Sequence, residues 1–251
     1  MPNHRAVILL VAALISACGG SGSGAGAPQT NLTVFAASSL QPAFDQIGAK
    51  LLATKNIKTT FNYAESQALT AQLSQRAKAD VFASADTANM TTVEKAGLLN
   101  GSPQVFAHNR LEIAIAHGNP KNIHSLADLA KPGIVVVLAD PSVPAGKYAQ
   151  EAFAKAHVTV QPASLELQVT SVLSKVAMGQ ADAGIVYLSD VVSSNRQVDS
   201  VTIRDDQNVI ADYPIGVLKS ASNPDGAAAF VNFLLSADGQ TILRFHGFEA
   251  A

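Results

Sequence analysis

Two serines close the apolar run Thr33-Val34-Phe35-Ala36-Ala37-Ser38-Ser39-Leu40, and a series at helix spacing, Leu40, Phe44, Ile47 and Leu51, begins at once. A strand that ends in hydroxyls where a helix starts gathers O–H and N–H donors at one point, which is the chemistry of an anion site. Ser39 also falls where an N-cap belongs, so capping alone accounts for it equally well. Three further junctions share the pattern. Ser66 follows an apolar run at 59–63, and it can offer a hydroxyl and backbone N–H groups. Val143-Pro144-Ala145-Gly146 offers backbone only, with a proline and a glycine that let the chain curl its amides around a small ligand. Val169 opens a helix whose first N–H groups need an acceptor. Tyr187, closing Gly184-Ile185-Val186-Tyr187, adds a phenol at a strand end.

The elements that must position these groups alternate, short apolar runs with amphipathic stretches, as in βα units. In the first series, strands at 32–37, 59–63 and 81–84 each lead to a helix, the first over 40–54 and the third stopped at Gly97. Residues 105–117 read as a long extended crossing. In the second series, strands at 134–138, 165–169 and 183–188 follow, with a turn at 141–146, a helix over 147–156 and another stopped at Gly179. Residues 213–219 are extended, and two helices, 227–235 and 239–245, close the chain. Two βα clusters joined by two extended crossings predict an α/β protein of two lobes with a ligand cleft between them. Each lobe then presents its strand-to-helix junctions to that cleft.

Composition narrows the class. The 251 residues carry a net charge of −2, which gives no basic footprint for nucleic acid and requires an anion to be held by local donors. No G-x-S-x-G elbow is present, and the six histidines lie apart, so neither a serine hydrolase nor a histidine metal site is indicated. Asp80, Asp86 and Asp140 near strand ends are explained by capping and turns. The four tyrosines are not neighbours, against a ferric-ion binder. The reading is of a binding protein, with no catalytic residues and no cofactor.

The amino terminus reads as a targeting segment. A thin basic region precedes an apolar core at 6–17, too short for a permanent span, and Leu14-Ile15-Ser16-Ala17-Cys18 resembles the bacterial lipoprotein signal. Cys18 is the single cysteine, expected to carry the lipid that holds the protein to the outside of the cell membrane. Residues 1–17 are then the signal peptide and 18–30 a flexible tether.

The segments FAASSL (35–40), ADVFASAD (79–86), ADPSVPAG (139–146) and ADAGIVYLSD (181–190), with a terminal Gly247-Phe248, resemble the periplasmic molybdate-binding proteins of ABC transporters. The resemblance runs from about residue 31 to the end. It implies the type II periplasmic-binding-protein fold, with two mixed, mainly parallel sheets flanked by helices. Lobe I would comprise 31–107 and 213–251, and lobe II 108–212. It further implies a molybdate or tungstate ligand, permease subunits as partners, a monomer, and no metal beyond the molybdenum of the oxyanion. Carried over motif by motif, the oxyanion ligands fall on Ser39, Ser66, Ala145, Val169 and Tyr187, with Ser38, Glu65 and Gly146 around them. One departure stands out. Where the family shows a serine- and glycine-rich turn, this chain has Ala64-Glu65-Ser66-Gln67, and Glu65 beside a dianion repels it unless the side chain points away. A donor-only shell would satisfy a fully deprotonated dianion and disfavour hydrogen phosphate by about 1–3 kcal/mol. Sulfate is the nearest rival ligand.

Overall fold

The computed structural model describes Met1 and residues 29–251; Cys18, the signal segment and nearly all of the tether lie outside the described residues. Strand β1 (Thr30–Ala37) passes through a single 3-10 turn (Ser38–Leu40) into α1 (Gln41–Lys55). Then come β2 (Ile57–Ala64), α2 (Ser66–Ser74), β3 (Val81–Ala83), α3 (Thr87–Lys95) and the long β4 (Gln104–Ile115). The second series is β5 (Val136–Ala139), α4 (Pro144–Ala156), β6 (Ser164–Glu166), α5 (Val169–Ala177), β7 (Ala183–Tyr187), α6 (Leu188–Ser193) and β8 (Asp199–Thr202). The chain returns through β9 (Ile210–Val217) to α7 (Pro224–Leu235), α8 (Ala237–Phe245) and β10 (Glu249–Ala250).

The strands run in the order β2-β1-β3-β9-β4-β7-β5-β6, with β8 and β10 paired along β4. Pairing is parallel within β2-β1-β3 and within β7-β5-β6, and antiparallel wherever β4 or β9 takes part. The expected mainly parallel sheets are therefore the two outer trios. They fuse into one curled mixed sheet because β4 changes partners along its length. Gln104 to Arg110 lies against β9, and Leu111 to Ile115 lies against β7.

Burial follows the helix-spaced apolar residues. Phe44, Ile47 and Leu51 on α1 are fully buried, and Phe44 meets Phe106 and Phe230 at ring separations of 5.9 and 5.6 Å. Each such side chain contributes about 1.5–3 kcal/mol by leaving water. A smaller core of Phe35, Leu69, Leu73, Phe82 and Met90 packs α2 and α3 against the first lobe's sheet.

The register of β1 on β2 does the most to build the cleft. Thr30 pairs with Ile57, and the ladder runs without a slip to Ala37 beside Ala64. In-register parallel strands that end together deliver their next residues together. Ser38 therefore emerges beside Glu65, and Ser39 beside Ser66.

Candidate functional site

Ser39 is not a helix cap. It lies inside the 3-10 turn, α1 starts from Leu40 without a side-chain cap bond, and the Ser39 hydroxyl instead meets the Tyr213 phenol at 2.9 Å. Asn109 Nδ2 donates to the same phenol oxygen at 3.3 Å and to Ser189 Oγ at 2.8 Å. The donor order that uses every group runs Asn109 to Tyr213 to Ser39, which leaves the Ser39 hydrogen to donate onward. Ser39 is only 4% exposed, so this outward donor is held at the cleft and away from bulk water. Ser66 is the first residue of α2 and fully buried, and its oxygen accepts from the Ala85 N–H at 2.9 Å, leaving its O–H as a donor.

The second lobe contributes backbone. The turn expected at 141–146 is shorter than foreseen, because α4 already starts at Pro144, whose fixed φ suits the first helical position. Ala145 and Gly146 therefore lie in the first turn of a helix, and their N–H groups belong to its unsatisfied donors. Gly146 is required there. A Cβ on it would stand 2.1 Å from the Asp140 carbonyl oxygen and 2.4 Å from that of Ala139, so the loop after β5 folds directly onto the helix start. One turn on, burial raises the Tyr148 pKa, with the charges of Asp86, Glu151 and Asp212 adding to it. Val169 is the first residue of α5, as its sequence position predicts.

Tyr187 closes β7, is 1% exposed, and its hydroxyl has no hydrogen-bond partner. A buried phenol without a partner forfeits about 1–3 kcal/mol unless something accepts from it. Its ring packs edge-on against Tyr213 at 5.8 Å. Burial drives the Tyr187 pKa well above that of an ordinary phenol, and Tyr213, Tyr148, Glu65 and Asp190 push the same way, so it stays a donor at neutral pH.

Glu65 does not point away. Its carboxylate accepts from the Ser38 hydroxyl, and the Val169 N–H bears on it from the other lobe. Burial raises the Glu65 pKa, while these two donors partly hold it down. The expected donor-only ring thus contains one acceptor. A second buried acid, Asp190, accepts from the Tyr187 N–H at 3.0 Å; burial, with Glu65 adding to it, raises its pKa to about 7. Among the described residues, no group of three or more His, Cys, Asp and Glu gathers as a metal site.

The structure therefore links Ser38 to Glu65 and Ser39 to Tyr213, whose ring packs on that of Tyr187, while Ser66, Ala145 and Val169 each stand in the first turn of their helices. Tyr213, Asn109 and Asp190 are buried partners of these residues that pattern reading passes over. Asn109 had a signal, as an amide inside a long extended run. Asp190 had one three residues after Tyr187, at the spacing of a capping acid.

The curled mixed sheet, two parallel trios joined through β4 and β9, is the architecture of the periplasmic binding proteins. The family model described as bacterial extracellular solute-binding protein matches residues 32–249, and the chain belongs to that family. Among its relatives is a molybdate-binding protein of Mycobacterium bovis, ModA, 46% identical over 96% of this chain and 94% of its own length. The periplasmic molybdate-binding protein of Azotobacter vinelandii superposes with a TM-score of 0.77 at 17% identity, covering 88% of this chain and 99% of that one. The sulfate-binding protein SubI of Mycobacterium tuberculosis also superposes at 0.77, with 20% identity and coverage of 89% and 88%.

Proposed function

We propose that this chain is the substrate-binding subunit of an ABC importer and that its ligand is molybdate, with tungstate accepted alike. The two are tetrahedral dianions of nearly equal size. The oxygens of the anion would be held by the hydroxyls of Ser39 and Ser66, the N–H groups of Ala145 and Val169, and the phenol of Tyr187. The observation that carries this reading is the buried, unpartnered Tyr187 hydroxyl. Hydrogen bonds to a charged acceptor contribute roughly 1.5–3 kcal/mol each, so five reach the 8–12 kcal/mol of micromolar to nanomolar binding without a lysine or arginine.

The site reads as a binder and not as a catalyst, because the Ser39 hydroxyl is paired with a phenol and the nearby Glu65 carboxylate is engaged by Ser38. The 46% identity to a molybdate-binding relative over nearly the whole chain supports the choice of anion. The proposed division is 31–107 with 213–251 for one lobe and 108–212 for the other. The proposed arrangement is a monomer held outside the cell membrane by lipid on Cys18, above a tether and facing its permease. No helix among the described residues is long and apolar enough to cross a membrane.

Sulfate is a second reading, favoured by a superposition on a sulfate-binding protein as good as that on a molybdate-binding one. Calorimetric titration of the purified protein with molybdate, tungstate, sulfate and phosphate decides between them. Molybdate and tungstate are expected to bind at least tenfold tighter than sulfate. Sulfate binding of equal strength, or no heat with molybdate, overturns the assignment.

A further inference from the structure

Glu65 places a buried carboxyl group in the proposed anion site. It is 5% exposed and accepts from the Ser38 hydroxyl on the 3-10 turn. The Val169 N–H on α5, Tyr187 at the end of β7, Asp190 on α6 and Tyr213 on β9 interact with it electrostatically. Asp190 is acidic and both tyrosines are neutral donors. No lysine, arginine or histidine among the described residues acts on the Glu65 carboxylate. A carboxylate and a dianion enclosed together without a cation do not both keep full charge; one proton enters and is shared.

We infer that Glu65 and the bound oxyanion share one proton, so that Glu65 sets which oxyanion binds and at what pH. The inference rests on the oxyanion reading above. For a dianion that carries no proton, the balance is Glu65 carboxylate plus one proton plus the anion, giving the Glu65 carboxylic acid with its O–H donated to an anion oxygen. For an anion that brings its own O–H, such as hydrogen phosphate, that O–H donates to the Glu65 carboxylate and no proton is taken from water. The protonated Glu65 completes a ring of donors; the ionised one is the ring's single acceptor.

The sign follows from the proton count. Above the pH at which Glu65 ionises in the free protein, affinity for an unprotonated dianion falls by up to tenfold per pH unit. Affinity for hydrogen phosphate does not fall for this reason. Raising the pH therefore shifts preference away from molybdate and toward the O–H-bearing anion.

The test is calorimetric titration of the whole protein with molybdate, sulfate and phosphate at pH 5.5, 7.0 and 8.5, each in two buffers of different ionisation enthalpy. Wild type is expected to take up close to one proton per molybdate at pH 8.5 and to bind it at least tenfold more weakly than at pH 5.5. In Glu65→Gln, uptake and pH dependence vanish, and molybdate binds at least tenfold tighter than wild type at pH 8.5. Asp190→Asn, which removes the other buried acid, keeps the uptake. Binding to wild type without proton uptake overturns the inference, as does uptake that persists in Glu65→Gln or disappears in Asp190→Asn alone. Should Glu65→Gln not fold, the two-buffer comparison on wild type and Asp190→Asn still decides. Proton-linked binding of sulfate in place of molybdate keeps the role of Glu65 and overturns the molybdate reading. No heat from any of the three anions overturns both.

Discussion

The two walls of the cleft are made of different material. The first lobe reaches it with side chains, Ser38, Ser39, Glu65 and Ser66, all delivered by one in-register parallel strand pair. The second lobe reaches it with the first turns of α4 and α5, where the donors are main chain, and with a single phenol, Tyr187. Their carboxylates differ in the same sense. Asp190 turns back on its own lobe and accepts from the Tyr187 N–H, whereas Glu65 is shared between the lobes. A backbone wall is fixed by the fold and indifferent to pH. A side-chain wall can be retuned one residue at a time, so selectivity is expected to reside there.

The largest effect should come from the backbone wall, where a single methyl group disturbs several donors. Gly146→Ala forces a Cβ into the carbonyl oxygens of Ala139 and Asp140, and it should lower stability by about 3 kcal/mol along with anion affinity. Denaturant unfolding checks it; an unchanged midpoint would show that the loop after β5 yields freely. Next is the deletion of one main-chain donor. Proline is well suited to the first position of a helix, and Gln168 before it is already extended (φ −143°, ψ 136°), so Val169→Pro removes one N–H while keeping α5. Affinity should fall about 10- to 100-fold, with a separate loss of melting temperature from the buried Val169 side chain.

On the side-chain wall, Ser39→Ala should weaken binding at least tenfold. Tyr187→Phe should do the same without loss of stability, because its hydroxyl makes no bond in the folded chain. Equal affinity in either variant would return that residue to a packing role. The smallest effect on binding concerns Asp190, whose pKa is raised from 3.8 to about 7. Between those values the folded state holds a proton that the unfolded chain has lost, so stability declines as pH rises from about 4 to 7 and then levels. Thermal melts at pH 4.5, 6 and 7.5 should show Asp190→Asn relieving this decline, on the order of ten degrees.

Much of this was legible in the residues, and the exceptions share a physical cause. Strand-to-helix junctions announce themselves through local pattern, so Ser66 and Val169 stand where spacing puts them. Two of the three residues missed act through long-range pairing, whereas Asp190 pairs locally with the Tyr187 N–H. Tyr213 lies 174 positions from Ser39, and Asn109 meets Ser189 across 80. The capping role of Ser39 failed for the same reason, since a distant phenol took the hydroxyl. The start of α4 was set too late because Pro144 reads equally as a turn residue and as a first helical one. Glu65 was recognised as out of place, but its direction depends on which lobe surrounds it, and local pattern does not encode that.

The two strands that cross between the lobes have a mechanical consequence. β4 and β9 are hydrogen-bonded to each other from Gln104 opposite Ile215 to Arg110 opposite Ile210, so they form one ribbon and not two separate cables. A bonded ribbon resists sliding of one strand past the other, even with the register shift between Val105 and Ala107, and bends most easily across its face. Relative motion of the lobes is therefore expected to be chiefly a bending about this ribbon. Ser38 and Val169 would part along one arc, and one pair of distance labels placed across the cleft would report the whole trajectory.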